Sequence, residues 1–199
     1  MNQRIRLAAI TAVFALMVFA TATATAQPRW VLKVKPGDPG VVAVFDVLNQ
    51  GKDFWFFPFT VTNKTGKDQK VLITVNAMTD TKKTYLSGYY PDAFKKVQRI
   101  LGRKIRGMRE MRGVIKPGES WTGVALFKSV DPNMDRITFQ IRGVEDVIIR
   151  IKGVSFVEER ALEFNYRQLG DEYFPWEEPI EFIGKRWKIL KQRTKVKRR

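Results

Sequence analysis

The chain has 199 residues, with 36 Lys or Arg against 20 Asp or Glu, and its formal net charge at pH 7 is +16. It contains no His and no Cys. This composition excludes the commonest general base, thiol nucleophiles, disulfides and the usual zinc sites, so an enzyme would need carboxylates, Lys, Ser or Tyr. Hydrophobic residues make up 44% of the chain, which predicts a packed domain.

Residues 1–26 have the pattern of an export signal peptide. Arg4 and Arg6 precede an apolar run over 7–20, and Ala-Thr-Ala at 24–26 offers a small-x-small cleavage site. We predict cleavage near Ala26, a domain over 27–190 and a periplasmic or extracellular location. The alternative is an uncleaved anchor, because 7–26 is long enough to span a bilayer. After the signal, no further apolar segment is long enough to span a membrane.

Short runs of β-type residues follow the signal and alternate with turn residues. In the first half, the predicted strands cover 30–35, 41–48, 54–63 and 69–78. Every second residue from Trp55 to Val61 is apolar and faces one way, while Phe54 and Phe56 face the other. Pro58 has no N–H to donate, so we expect its strand at a sheet edge or with a bulge there.

A short helix interrupts the strands over 91–101. Phe94, Val97 and Leu101 have helical spacing, Pro91 suits the first helical position and Gly102 suits the stop. An irregular basic loop is expected after the helix, through residue 113.

The second half again predicts strands and turns. A type II turn is expected over 116–119, where Pro117 and Gly118 occupy the positions that this turn prefers. The predicted strands after it cover 121–128, 136–142, 147–156, 162–167, 180–183 and 187–190. Many short strands with one helix predict an all-β fold, an immunoglobulin-like β-sandwich with one short inserted helix.

Four segments carry a resemblance to a known group of proteins. These are FTVTNKTG at 59–66, YYP at 89–91, IKPGES at 115–120 and GVALF at 123–127. They resemble segments of uncharacterised exported bacterial domains with immunoglobulin-like folds. The similarity extends through 170–172 and Trp187, and the basic C-terminal tail at 191–199 lies outside it. The resemblance implies the sandwich fold and brings no activity and no site residues.

Two local motifs have ordinary interpretations. Asp131, Asn133 and Asp135 have the spacing that opens a calcium loop, but Arg136 and Arg142 stand where such a loop needs Gly and Glu. We therefore interpret the segment as a hairpin turn. Residues 63–65 match the glycosylation acceptor pattern, although a tight turn prefers the same residue types. We predict no metal and no cofactor.

Neighbouring carboxylates are the remaining candidates for catalysis. They occur as Glu158-Glu159, Asp171-Glu172 and Glu177-Glu178. Because adjacent residues on a strand face opposite ways, an acid–base pair would need carboxylates from different segments. The alternative function is accordingly a carboxylate-based hydrolase acting on envelope glycans.

Positive charge is concentrated in two segments. Residues 95–116 contain nine basic residues and one acid, and residues 184–199 contain nine basic residues and no acid. The candidate binding residues for an anionic surface are Arg99, Arg103, Lys104, Arg106, Arg109 and Arg112. The alternative is a solvated loop whose apolar residues pack onto the sandwich. The segment at 185–199 is interpreted either as a flexible arm with the same role or as a solubilising end that binds the acidic stretch at 158–181.

These observations predict an exported, non-catalytic binding or structural module. Outside the cytoplasm, the partners expected for the basic segments are anionic lipid, acidic glycan or an acidic protein. Nucleic acid is disfavoured because aromatic residues do not interleave with the cations and no nucleic-acid motif is present.

Overall fold

The computed structural model describes residues 27–45, 50–102, 104–151, 154–168 and 180–195. The predicted signal peptide and Arg103 lie outside these ranges. The helix is α1 (Pro91–Leu101), and a 3-10 turn covers Met108–Glu110. The strands are β1 (Gln27–Val31), β2 (Lys33–Pro36), β3 (Gly40–Phe45), β4 (Gly51–Thr62), β5 (Gln69–Leu72), β6 (Thr74–Thr79), β7 (Thr84–Leu86), β8 (Arg106–Gly107), β9 (Arg112–Ile115), β10 (Ser120–Lys128), β11 (Arg136–Arg142), β12 (Glu145–Ile151), β13 (Val154–Gln168) and β14 (Ile180–Lys195).

Within the described residues, the strands form two large sheets and one small one. The first sheet has the order β1-β12-β13-β11-β6-β7, with β14 also paired to β13. The second has the order β2-β4-β10-β8, with β3 also paired to β4, and β5 pairs with β9 separately. All pairs of described strands are antiparallel except β8 with β10. The prediction of an all-β fold with one short helix is confirmed.

The two large sheets share one hydrophobic core. Alternate residues of β4 and β10 face alternate residues of β6, β11 and β13. At its centre the rings of Phe57 and Phe139 stack with their centroids 4.2 Å apart, and both side chains are fully buried. The period-2 pattern predicted for β4 is confirmed, because Phe54 and Phe56 leave this core and join a second cluster beneath α1.

Strand β4 is central in its sheet, so the expectation of an edge position for Pro58 is wrong. It pairs with β10 on one side and with β2 and β3 on the other. Pro58 is tolerated because β2 ends at Pro36 and β3 begins at Gly40. In the gap between these strands the Pro58 carbonyl accepts the Gly37 N–H at 2.8 Å, so the missing N–H faces no ladder partner.

Two predicted strands are each divided between sheets. The predicted strand at 30–35 is β1 followed by β2, and the predicted strand at 69–78 is β5 followed by β6. At each break one buried residue donates its N–H outside the regular ladders: Leu32 to Val144 O at 2.8 Å and Ile73 to Met111 O at 2.9 Å. The apolar alternation continues through both breaks, so the sequence pattern does not reveal them.

Strand boundaries in the C-terminal third also differ from prediction. The predicted strand at 147–156 is split between β12 and β13, which pair as antiparallel neighbours, and β13 also contains the predicted strand at 162–167. The pair expected at 180–183 and 187–190 is one strand, β14. Strand β14 pairs with β13 as far as Lys195, so the first residues of the predicted tail extend the sheet.

The helix and the predicted type II turn form as expected. Helix α1 ends at Leu101, and Gly102 caps it with φ 59° and an N–H bond to Gln98 O of 3.2 Å. Gly118 has φ 78°, and Glu119 donates its N–H to Lys116 O at 3.0 Å. Among the described residues, no helix is both long and apolar enough to cross a membrane.

Candidate functional site: a basic surface with two stacked arginines

The predicted basic residues occupy an ordered segment between α1 and β10. Arg99 lies on α1, Lys104 follows it, Arg106 lies on β8, Arg109 on the 3-10 turn and Arg112 on β9. We call these five residues the basic surface; Arg103 lies outside the described residues. The irregular loop expected here is instead held by β8, which pairs with β10, and by β9, which pairs with β5. This pairing fixes the backbone at Arg106 and Arg112.

Arg106 is partly buried and stacks on an aromatic ring. Its guanidinium carbon lies 4.0 Å from the centroid of Trp121, whose indole N–H donates to Glu119 Oε1 at 2.7 Å. The backbone N–H of Lys116 and this indole N–H lower the pKa of Glu119, and the charge of Arg106 adds to the effect. Glu119 is therefore a carboxylate that orients Trp121 beneath Arg106.

Arg109 forms a second stacked pair. Its guanidinium carbon lies 4.5 Å from the ring centroid of Tyr89, which is 55% exposed. A guanidinium placed over a ring keeps N–H donors that match phosphate or carboxylate oxygens. The two pairs place both guanidinium groups over aromatic rings at the basic surface.

Sequence reasoning missed both rings. Tyr89 and Trp121 lie outside the basic segment at 95–116, and the segment itself contains no aromatic residue after Phe94. The pairing of β8 with β10 brings Arg106 opposite Gly123, two residues from Trp121. This parallel bridge has no local sequence signal.

The apolar residues of the basic segment divide into two groups. Ile105 and Met111 are buried, as the solvated-loop interpretation expects. Ile100 is 62% exposed on α1, next to Arg99, and Tyr89 beneath Arg109 is 55% exposed. Two exposed apolar or aromatic side chains thus lie beside cations of the basic surface.

A pocket of about 220 Å³ lies between α1, the 3-10 turn and β10. Phe94, Met108, Val124 and Leu126 supply an apolar lining, and Arg109 and Tyr89 also border it. Val124 and Leu126 belong to the buried cluster beneath α1. The pocket is therefore an apolar cavity with a cation on its border, and we call it the β10 pocket.

A second candidate site is a charged cleft of about 470 Å³ beside the turn between β11 and β12. Arg160 Nε contacts Glu158 and lies 3.9 Å from Glu145 Oε1, and these carboxylate side chains are only 7% and 5% exposed. Burial raises the pKa of Glu145; the nearby charge of Arg160 opposes this rise and that of Glu158 adds to it. The cleft brings together two carboxylates from different strands.

The predicted carboxylate pairs have different positions. Glu159 is half exposed and lies 3.7 Å from Arg142, whereas Glu158 is buried. The pairs at 171–172 and 177–178 lie outside the described residues. Glu145 was not predicted, because a single Glu after a turn carries no signal of burial.

Glu163 was also missed, and it is fully buried. Gln140, Arg186 and Lys188 donate to its carboxylate at 2.6, 2.7 and 3.3 Å. Burial alone would raise the pKa of Glu163, but these donors outweigh burial and lower it. Two partly exposed cations of the C-terminal basic segment, Arg186 and Lys188, therefore form ion pairs with a buried carboxylate of the acidic stretch.

The two local motifs have structural roles. The Asp131 carboxylate accepts hydrogen bonds from the Thr81 hydroxyl at 2.9 Å and from the Asn133 N–H at 3.1 Å. Lys83 Nζ lies 2.6 Å from Asp131 Oδ2, and this contact is the main cause of the lowered pKa of Asp131. Within the described residues no three side chains of metal-binding type come together. Asn63 is fully buried and its amide donates to two carbonyls, so it cannot accept a glycan as folded.

Comparison with protein-family models, with curated proteins and with solved structures finds no match to this chain.

Proposed function

We propose that this chain is an exported, non-catalytic binding module, an immunoglobulin-like β-sandwich whose basic surface docks on an anionic envelope surface. The single observation that carries the proposal is the pair of stacked guanidinium groups, Arg106 on Trp121 and Arg109 on Tyr89. Two sheets packed around one core support the sandwich class, and the signal pattern at 1–26 supports export.

Stacking favours binding because it fixes the donors before the ligand arrives. A free arginine side chain loses rotamer entropy when it is immobilised by a ligand, at a cost of about 0.5–1.5 kcal/mol. Arg106 and Arg109 are already held by their rings, while Arg99, Lys104 and Arg112 are exposed and add long-range attraction. The segment at 95–116 has only one acid to oppose this attraction.

We expect the full chain without residues 1–26 to co-sediment with phosphatidylglycerol vesicles and not with phosphatidylcholine vesicles. Binding should weaken steeply as salt rises beyond about 0.1 M, where the screening length is near 10 Å. Acidic glycan is tested in the same salt series. Binding that is equal for neutral and acidic targets, or absent from every acidic target, would contradict the proposal.

The charged cleft favours a second candidate, a carboxylate-based hydrolase acting on envelope glycans. Glycoside hydrolysis uses a carboxyl group of raised pKa as its acid, and burial raises the pKa of Glu145. However, Glu145 and Glu158 are both nearly inaccessible and Arg160 lies between them. A hydrolase would release reducing ends from envelope glycans and lose this activity in Glu145→Gln; absence of turnover by the wild type excludes it.

Glu145→Gln should also raise the stability of the fold at neutral pH. The folded-state pKa of Glu145 lies above its unfolded value, so wild-type stability falls as pH rises from the unfolded pKa, near 4.3, through the folded pKa. Glutamine cannot ionise, so the free energy of unfolding of this variant should depend less on pH in that range. Urea denaturation over a pH series measures the effect, with the exposed Glu159→Gln as control. A loss of stability at pH 7 in Glu145→Gln alone would show that the Arg160 contact outweighs burial.

A further inference from the structure

The β10 pocket and the exposed apolar residues narrow the chemistry of the anionic partner. We infer that the partner is a membrane phospholipid, whose phosphate binds at Arg109 and whose acyl chain enters the β10 pocket. This inference rests on the proposed function and names the partner of the same surface.

The first argument is the lining of the pocket. Phe94, Met108, Val124 and Leu126 offer no charged group, so the interior suits hydrocarbon and not a sugar hydroxyl. A cavity of about 150 Å³ can hold a benzene molecule, and the β10 pocket, at about 220 Å³, has room for a short length of alkyl chain.

The second argument is the position of the cation. Arg109 lines the same pocket and is held over Tyr89, so one ligand can meet an apolar lining and a guanidinium together. A phosphate with an attached acyl chain has this combination of groups. Inorganic phosphate lacks the apolar part, and an acidic glycan lacks the hydrocarbon that the lining would bury.

The third argument is the exposed apolar side chains near the cations. Tyr89, beneath Arg109, and Ile100, next to Arg99, are 55% and 62% exposed. Apolar side chains among Lys and Arg are typical of surfaces that bind the interface of an acidic membrane, with Tyr favoured at the headgroup level. A purely electrostatic contact with a polysaccharide gives Ile100 no partner.

Gly107 allows the pocket to be filled without a change in charge. It lines the pocket with φ −71° and ψ 162°, a conformation open to any residue. An added Cβ would lie 3.6 Å from the ring of Phe94, an ordinary contact distance. Gly107→Leu should therefore fold and occupy the pocket, and Gly107→Ala is the matched control that leaves most of it open.

The experiment measures binding of monomeric dodecyl phosphate, below its critical micelle concentration, and of inorganic phosphate to the chain without residues 1–26. We expect dodecyl phosphate to bind at least tenfold more tightly than inorganic phosphate. Gly107→Leu should weaken dodecyl phosphate binding at least tenfold. A leucine side chain that keeps two methylene groups of the alkyl chain out of the pocket is sufficient for this loss. Gly107→Ala should stay close to wild type. A thermal melt verifies folding, and Ser87→Leu, at another residue that lines the pocket, replaces Gly107→Leu if that variant does not fold.

The outcomes separate this inference from the proposed function. If Gly107→Leu and Ser87→Leu bind dodecyl phosphate as the wild type does, the acyl-chain site is wrong, and salt-sensitive vesicle binding would leave the docking proposal standing. Binding to acidic glycan or to an acidic protein without binding to vesicles also overturns the lipid inference alone. If no acidic target binds, both proposals fail.

Discussion

Gly143→Ala is expected to destabilise the fold by roughly 2–5 kcal/mol, the largest effect of any single methyl group that we predict. Gly143 has φ 77° in the turn between β11 and β12, a conformation that costs other residues about 1–2 kcal/mol. Its Cβ would also overlap the backbone carbonyl of Leu72, whose carbon atom would be 2.8 Å away. Backbone cannot rotate aside as a side chain can, so β5 or the turn must shift.

Gly66→Ala is the matched control. Gly66 has φ 75°, but nothing lies within 4 Å of the position of its Cβ. Gly66→Ala therefore measures the cost of the positive φ without any steric overlap. Part of that cost is offset because Ala reduces the conformational entropy of the unfolded chain. Urea denaturation compares the free energies of unfolding. Equal losses in the two variants would show that the close approach of Leu72 contributes nothing.

Much of the fold could be predicted because its signals are local. Strands β4 and β11 have regular alternation, helix α1 has Pro at its start and Gly at its stop, and the turn at 116–119 has Pro and Gly in the required places. The alternation could not show where the chain leaves one sheet for another. Leu32 and Ile73 keep the apolar pattern while their N–H groups bind elsewhere, so the information lies in contacts with distant residues.

The site was predicted less completely than the fold, for the same reason. The basic residues cluster along the sequence, so they could be predicted, whereas the two aromatic rings that contact Arg106 and Arg109 could not. Tyr89 and Trp121 reach Arg109 and Arg106 through tertiary structure. The burial of Glu145 and Glu163 likewise depends on neighbours from other strands, so no single segment identifies either carboxylate.

Reversal of the exposed cations is expected to remove binding to acidic vesicles. The variant combines Arg99→Glu, Lys104→Glu and Arg112→Glu. All three side chains are exposed, so the fold should survive. Each basic residue near an acidic membrane contributes about 1 kcal/mol, so loss of three attractions alone weakens binding by more than about a hundredfold. Arg106 is left unchanged, because it packs on Trp121 and its reversal would place a carboxylate near Glu119.

The control variant carries the same change in net charge at other positions. Lys33→Glu, Lys35→Glu and Arg136→Glu also replace exposed side chains, and they lie outside the segment at 95–116. A contact driven only by overall positive charge would lose affinity equally in both variants, whereas docking through the basic surface predicts a much larger loss in the first.

Co-sedimentation of the wild type and both triple variants with phosphatidylglycerol vesicles, at fixed salt near 0.1 M, is the most direct test of docking through the basic surface. The proposal predicts binding of the wild type, retention of most of that binding by the Lys33, Lys35 and Arg136 variant, and no detectable binding of the Arg99, Lys104 and Arg112 variant. Equal binding by the two variants would contradict it, as would a wild type that binds neither these vesicles nor any other acidic target.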